Sequence, residues 1–476
     1  MAQRRPFVFA FTAVLVLLSR IPFLDAGYGT DPDAWRVACA AKSISQDGEY
    51  RASRLPGYPV QEYVYSLISS QSPLFFNLCT AILSSLAAGL FALVLHARGS
   101  KDSILAAIAL ACTPIVYIFS TTSMDYCWAL SMLLASVYCV SVQKPVLAGI
   151  LLGIAAGCRI TSLIVVAPLL VLLVEGSQLR KRILPLGLFL LSASISAALV
   201  YSPVIRKYGT GFLTFYEHGY PSMVAIIKSM TIDIWGVLGT VAILVAVVLT
   251  LFRRVFQKES SSQQKPISTS LVVASAGVVS LYLVMFLRLP VEAAYLIPAI
   301  PFVLILFSLW MERTLFRVVC VLLVISSFIG GIDSGDRPWS PSPSVAATTL
   351  RVKGRQIVFD PLKGPIINDH ERRISRMQFV NKLLAFSDSL RTRSVIVAGV
   401  WLPEIMVTGG CFSSEKGEQD DLYDRGNAKF VGLLDTSAVE QCRASETPIY
   451  FVGTQDVYNR EIFGISLQAI GAQEIK

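Results

Sequence analysis

Two carboxylates one residue apart, Asp31 and Asp33, stand in the segment Gly29-Thr30-Asp31-Pro32-Asp33-Ala34-Trp35-Arg36. Residues 33–46 alternate as a short amphipathic helix, with Ala34, Val37, Ala38, Ala41 and Ile44 on one side. One carboxylate is therefore expected at the helix N-terminus, where the dipole stabilises negative charge and a side-chain oxygen caps a free N–H. The two readings of the pair are a plain N-cap, or a base or metal ligand at a surface. An Asp-x-Asp spacing is short and common, so it does not choose between them.

More charge gathers around this segment. Arg20-Ile21-Pro22 precedes it, and Gly48-Glu49-Tyr50-Arg51, Ser53-Arg54-Leu55-Pro56-Gly57-Tyr58-Pro59 and Glu62 follow. Farther on come Asp125 after Ser120-Thr121-Thr122-Ser123-Met124, Arg159, then Arg206-Lys207-Tyr208, then Glu217 and His218. Arg288, Glu292 and Tyr295 share one short segment. Each alone reads as an anchor at a membrane border, where Arg and Tyr are favoured on physical grounds. Together they put acids and arginines at one set of helix ends. Carboxylates for acid/base work beside arginines that grip phosphate suit a phospholipid-linked substrate.

The elements that must position these groups are membrane helices. The 476 residues are 54% hydrophobic and 15% charged, with mean hydropathy +0.61. Soluble domains carry about 25% charged residues, so a soluble enzyme, a disordered chain and a disulfide scaffold are set aside. Apolar runs of membrane-crossing length fall at 7–24, 73–95, 103–120, 126–143, 183–203, 231–252, 269–287, 291–310 and 316–333. The stretch 145–174 is broken at Gly157-Cys158-Arg159 and reads as two short helices, 145–157 and 160–174, since an arginine at mid-membrane is costly. About eleven transmembrane helices result, with the two termini on opposite sides. Arg4-Arg5 and the apolar run after it mimic a secretory signal. The run lacks a small-residue cleavage site and reads as an uncleaved first helix.

Charge orients the bundle. Residues 1–333 hold 24 Lys/Arg and 15 Asp/Glu, whereas 334–476 hold 17 of each. The net charge of +9 thus belongs to the apolar part. With a cytoplasmic N-terminus the inner loops carry 14 positives against four acids, the positive-inside pattern. The excess sits at membrane borders, so a nucleic-acid partner is set aside. The loop 25–72, the loop 204–230 and a domain 334–476 are then extracytoplasmic.

That domain reads as small α/β. Strands are expected at Gln356–Phe359, Ser394–Ala398, Phe430–Leu433 and Ile449–Val452, and helices at Arg376–Leu390, Ser437–Arg443 and Val457–Phe463. Asp333–Pro343 reads as a linker, 415–424 as a solvated acidic loop, and Asp369 and His370 as plain surface groups. Seven of the nine cysteines lie in or beside the membrane part. They lack metal-ligand spacing and read as packing residues. Cys411 and Cys442 are the only two in the outer domain, where a disulfide is chemically permitted.

The pattern resembles the GT-C class of integral-membrane glycosyltransferases, closest to the protein mannosyltransferase and lipid A aminoarabinose transferase type. The likeness is carried by Arg20, Gly29–Trp35, Gly48-x-Tyr50 with Pro56-Gly57-Tyr58-Pro59, Gly153–Ser162 and Arg288–Pro301, over roughly residues 1–310. It implies transfer of a sugar from a polyprenyl-phosphate donor to a lipid, glycan or protein acceptor at the outer face. A first-loop acid serves as base or acceptor-orienting group. Many members have adjacent Asp-Glu where this chain has Asp-Pro-Asp. The choice between Asp31 and Asp33 stays open, with Asp33 slightly favoured. Backside displacement at the anomeric carbon would invert it, with Arg159, Arg206, Lys207 and Arg288 as candidates to stabilise the leaving phosphate. Arg20, Glu62, Asp125, Glu292 and Tyr295 complete the expected substrate-binding set. A divalent cation (Mg or Mn) on the acid pair is a candidate cofactor, although no His cluster supports it and some members work without one.

Two other classes compete with the enzyme. A transporter or flippase of a lipid-linked or small polar substrate would place polar groups through the midplane and show repeat symmetry; the sequence has neither. A non-catalytic scaffold would not need acids and arginines at one face.

Overall fold

A computed structural model of the chain describes residues 4–175, 179–211, 220–256, 268–334, 340–352, 355–410 and 422–475. Its first part is helical: α1 (Arg4–Arg20), α2 (Pro32–Asp47), α3 (Pro59–Ser66), α4 (Pro73–Ala97), α5 (Ser103–Ala111), α6 (Pro114–Ser120), α7 (Tyr126–Ser141) and α8 (Pro145–Cys158). There follow α9 (Val166–Val174), α10 (Leu179–Tyr208), α11 (Met223–Met230), α12 (Ile232–Phe256), α13 (Thr269–Arg288), α14 (Ile300–Trp310) and α15 (Arg313–Ser326). Five of these helices start on proline. There the missing N–H would have had no partner, and the fixed φ already suits a helix.

Among the described residues, six helices are long and apolar enough to cross a membrane: Arg5–Phe23, Pro73–Ala97, Lys181–Tyr208, Ile232–Phe256, Thr269–Arg288 and Ala293–Trp310. The pair α5 and α6, bent by 67°, would be a seventh. The expected count of about eleven is therefore not reached by length. Pro114 breaks 103–120, because proline cannot donate to the preceding turn and clashes with it. Arg159 interrupts 145–174 in extended backbone, φ −154° and ψ 117°. A helix of 14 residues, such as α8 or α15, spans about 21 Å against a hydrocarbon core of about 30 Å.

Small residues bring α8 and α10 together. A Cβ on Gly149 would lie 2.4 Å from the Phe189 carbonyl, and one on Gly153 2.7 Å from the Ala197 nitrogen. The third glycine of this spacing, Gly157, would meet Val200 of α10 at 2.1 Å and Val60 of α3 at 2.7 Å. This small-xxx-small stripe lets backbones approach where burial from water contributes nothing. It also sets the end of α8, and so Arg159, against α3 and the segment between α1 and α4.

The C-terminal region is α/β. Its strands are β1 (Gly331–Ser334), β2 (Thr348–Val352), β3 (Arg355–Asp360), β4 (Ser394–Val397), β5 (Leu422–Arg425), β6 (Ala428–Val431), β7 (Ile449–Val452) and β8 (Gln473–Ile475). Its helices are α16 (Pro365–Ser389), α17 (Leu402–Thr408), α18 (Thr436–Ala444) and α19 (Gln455–Phe463). The first three strands form an antiparallel sheet in the order β1-β3-β2. The second sheet has the order β5-β6-β4-β7-β8, parallel except for β5. Its central strand β4 is buried throughout, as strands covered on both faces are. Val380, Leu383, Ile396, Trp401 and Phe430 fill one face, and Val395, Val397, Leu434, Phe451 and Leu467 the other. Each of the four expected strands and three expected helices overlaps an observed one, but α16 begins eleven residues before Arg376 and β6 ends at Val431 rather than Leu433. β1 lies inside the stretch read as the end of the bundle and the start of a linker. Cys411, Glu217, His218 and most of the acidic loop 415–424 lie outside the described residues.

Candidate functional site

The segment Gly29–Arg36 folds as a capped helix start. Asp31, in extended backbone, accepts the Asp33 N–H at 2.9 Å, and Pro32 opens α2. Trp35 Nε1 donates back to the Gly29 carbonyl at 2.9 Å, and its ring meets Tyr28 edge-on at 5.0 Å. Gly29 is needed for this closeness, since a Cβ there would lie 2.9 Å from Ala34 Cβ. Asn77 of α4 anchors the approach to the loop. Its Nδ2 donates to the Leu24 and Gly27 carbonyls, both at 2.8 Å, and its Oδ1 accepts from Ser123 Oγ at 2.8 Å. Asp31 is thus an N-cap, yet its second role is still open, because its surroundings are not those of an ordinary cap.

Carboxylate oxygens of Asp31, Asp33 and Glu292 lie within 4.8 Å of one another. Asp33 is compensated: Arg36 reaches it at 2.6 Å and Arg54 Nε at 3.0 Å. Arg54 extends its other end to Asp125 at 2.9 Å, and Arg159 takes the second Asp125 oxygen at 2.6 Å. Arg159 lies over Tyr126 at 4.0 Å and Tyr295 at 5.1 Å, and the Tyr126 hydroxyl donates to Glu292. Among the described residues Asp31 has no such cation. Burial, then the negative charges of Asp33 and Glu292, push its pKa up to about 7, against the Asp33 N–H and the more distant Arg54.

Of the other residues expected here, Glu62 is wholly buried and organises the loop that carries Arg54. It accepts from Tyr50, from the Ser53 N–H at 2.7 Å and hydroxyl at 2.6 Å, and from the Tyr58 N–H at 3.1 Å. Arg20 is buried on a different set of partners, Ser19, Ser120 and the Ala111 carbonyl, with its guanidinium 3.7 Å from the Tyr117 ring centre. Arg206, Lys207 and Arg288 are exposed. Lys207 lies 3.9 Å from Glu49. None of these three forms an ion pair or hydrogen bond with the carboxylate cluster among the described residues. The structure thus brings Asp31, Asp33, Asp125, Arg159, Glu292 and Tyr295 together and leaves the other five outside.

Several residues of the site were not singled out in the sequence. Arg54 bridges two acids, Tyr126 holds Glu292, and Asn77 ties the loop. Asp369, read as a surface group, is buried and accepts from Thr30 Oγ1 at 2.7 Å. No local pattern marks these residues; their roles come from chain segments meeting across 21 to 339 positions. Asp369 belongs to the C-terminal region, which supplies one wall of a cavity of about 650 Å³. Thr30, Asp31, Phe119 and Met124 line one side, and Asp369, Arg372, Arg376, Trp401 and Tyr458 the other. Glu404 behind this wall is paired with Arg376; burial pushes its pKa up to about 7 against that partner, and Asp31 adds to the rise.

No family model, curated protein or solved structure matches the chain. The fold and the site together define a mostly helical polytopic protein with six candidate membrane spans. It carries a small C-terminal α/β region and a cavity between the two, which Asp31 of the carboxylate cluster lines.

Proposed function

We propose that the chain is a membrane glycosyltransferase that moves a sugar from a polyprenyl-phosphate donor onto an acceptor at the extracytoplasmic face. The observation that carries this reading is Asp31: a cavity-lining carboxylate, without its own cation, with a pKa raised to about 7. Such a group takes up a proton near neutral pH, which is what a general base must do. The paired state of Asp33 favours Asp31 as the base and Asp33 as a fixed charge. The resemblance to GT-C enzymes in Gly29–Trp35 and Gly153–Ser162 supports the same reading.

In this mechanism the acceptor hydroxyl gives its proton to Asp31 as its oxygen attacks the anomeric carbon. The bond from that carbon to the phosphate oxygen breaks, and the phosphate leaves with the electron pair. Attack from the face opposite the phosphate inverts the centre. Arg54 Nη1 is buried with no hydrogen-bond partner among the described residues. With Arg159 it is the donor best placed to meet the charge that the phosphate gains. Three carboxylates at this spacing form an all-oxygen donor set that fits a hard divalent cation such as Mg or Mn. When bound, the cation would be held by Asp31, Asp33 and Glu292 and would lower the charge on phosphate oxygens.

The topology supports an outer location for this chemistry. The ion pairs sort into two ends of the bundle. Loops assigned to the cytoplasm pair with one another, as in Arg98–Glu175, Asp102–Arg313 and Arg253–Glu312. Segments assigned outside meet at Asp125. Read as alternating between these ends, with the positive-inside pattern choosing the inner one, the chain makes eleven passes with an inner N-terminus and an outer C-terminal domain. The test is sugar transfer from a polyprenyl-phosphate donor by the detergent-solubilised chain. Transfer by the wild type, with loss in Asp31→Asn, is expected; full activity in both Asp31→Asn and Asp33→Asn would remove the assignment.

A further inference from the structure

We propose that Asp369 and Arg373 of the C-terminal domain are positioning residues for the carboxylate site, which is in register only while α16 is seated on the bundle. The proposal rests on reading that site as a transferase centre. The two side chains are one helical turn apart and pair at 3.2 Å, with only 2% of Arg373 and 6% of Asp369 exposed. Neither faces its own domain's core.

Arg373 donates to the Thr121 carbonyl at 2.9 Å and to the Phe23 carbonyl at 2.8 Å. Phe23 ends the turn that leads from α1 into the first loop, and Thr121 closes α6 four residues before Asp125. Asp369 accepts from Thr30 Oγ1 at 2.7 Å, and Thr30 is the residue before Asp31. One ion pair on a single helix therefore holds both segments that converge on the site. A contact serving adhesion alone would be as effective anywhere on the interface; this one ends beside Asp31 and just ahead of Asp125. Within the bundle, the one hydrogen bond on the Asp31 carboxylate among the described residues comes from the Asp33 N–H; the Ala34 N–H goes to the Asp31 carbonyl. Once the Thr30 hydroxyl is released, the Asp33 bond alone would not fix the carboxylate's direction. Small errors in the placement of a reacting group carry large rate losses.

The experiment uses the full-length chain in detergent, with Asp369→Asn, Thr30→Val and Thr30→Ser. Transfer by Asp369→Asn and Thr30→Val should fall in kcat by about ten- to a hundredfold, with the KM for the polyprenyl-phosphate donor unchanged. Thr30→Ser keeps the hydroxyl and should recover most of that loss. Hydrogen exchange of the amides in 29–36 should quicken in Asp369→Asn and Thr30→Val. Wild-type kcat in both of these variants overturns the proposal, as does a Thr30→Ser enzyme as slow as Thr30→Val. A wild-type chain that transfers no sugar would sink the transferase reading alone. The exchange arm would then decide the clamp, and unaltered protection over 29–36 would overturn it.

Discussion

The two ends of the helical bundle use the same side chains to opposite effect. At the end read as cytoplasmic, Asp102 meets both Arg313 at 2.7 Å and Arg317 at 2.8 Å, and Arg98 meets Glu175 at 2.8 Å. Cations outnumber acids, and the arginines are about half exposed. At the other end four carboxylates, Asp31, Asp33, Asp125 and Glu292, share Arg36, Arg54 and Arg159. The hydrogen bond from Arg313 is the largest influence on the Asp102 carboxyl; burial opposes it, and the Arg317 hydrogen bond and the charges of both arginines keep the carboxyl below its usual range. Asp31, buried among acids, is pushed up to about 7. Residue type does not tell an anchor from a reactive group. The ratio of charges and the access of water do.

The sharpest way to break this comparison is to neutralise one acid at each end. Asp31→Asn should lower transfer by about 10²- to 10⁴-fold, the range for loss of a general base. Asp102→Asn should leave kcat within a factor of about two. Equal losses in a transfer assay would mean that the carboxylate cluster has no special standing.

Stability separates the ends next. Asp125 is fully buried between Arg54 and Arg159. Asp125→Asn would leave Arg159 without a carboxylate partner and Arg54 with Asp33 alone, and breaking a buried network of this kind costs about 3–5 kcal/mol. A large drop in the thermal midpoint of the purified protein is expected. A midpoint within a degree of wild type would show that water reaches these arginines and that the site is not desolvated.

The third test is pH, and the two ends respond with opposite sign. Asp31 has a folded pKa above its ordinary 3.8, so the folded state keeps a proton that the unfolded chain has lost. Its contribution to stability therefore falls as pH rises from about 4 to about 7. Asp102 has a folded pKa below the ordinary value, so its contribution is present above that value and lost as pH falls through the lowered one. Asp31→Asn should thus raise the thermal midpoint relative to wild type at pH 8 and lose that advantage near pH 4. Transfer itself should fall about tenfold per pH unit on the acid side of pH 7. An acid limb centred near pH 4 would mean that Asp31 is solvated.

These tests also trace what was legible in the residues alone. Composition and apolar runs located the helices, because burial in lipid leaves a pattern in any single segment. The Asp31–Asp33 segment was visible because a cap and a helix start are local. The break at Arg159 was legible, because a charge at mid-membrane is costly; the count of spans was not, since Pro114 bends a run that average hydropathy joins. Arg54, Tyr126 and Asn77 were passed over for another reason. Arg54 is one arginine among several in its loop until Asp125 arrives from 71 positions away to fix it. Asp369 looked like surface because a helix with charged residues on most faces hides which turn docks on a partner. Such information lies in the meeting of segments, and pairings over that distance leave no periodicity in the chain.

The smallest expected effect completes the comparison. Asp102 is bridged by arginines that stand in water, and exposed pairs gain little because solvent and salt screen them. Asp102→Asn should therefore move the thermal midpoint far less than Asp125→Asn. What difference remains should shrink as salt approaches about 1 M, where the screening length falls to about 3 Å. Asp125→Asn should keep its full effect in the same salt, since ions do not enter a buried network. If the Asp102 effect instead persists at high salt, the pair is locked by packing between the α4–α5 turn and α15. The end that carries Asp102 would then be a second rigid point of the bundle rather than a solvated border.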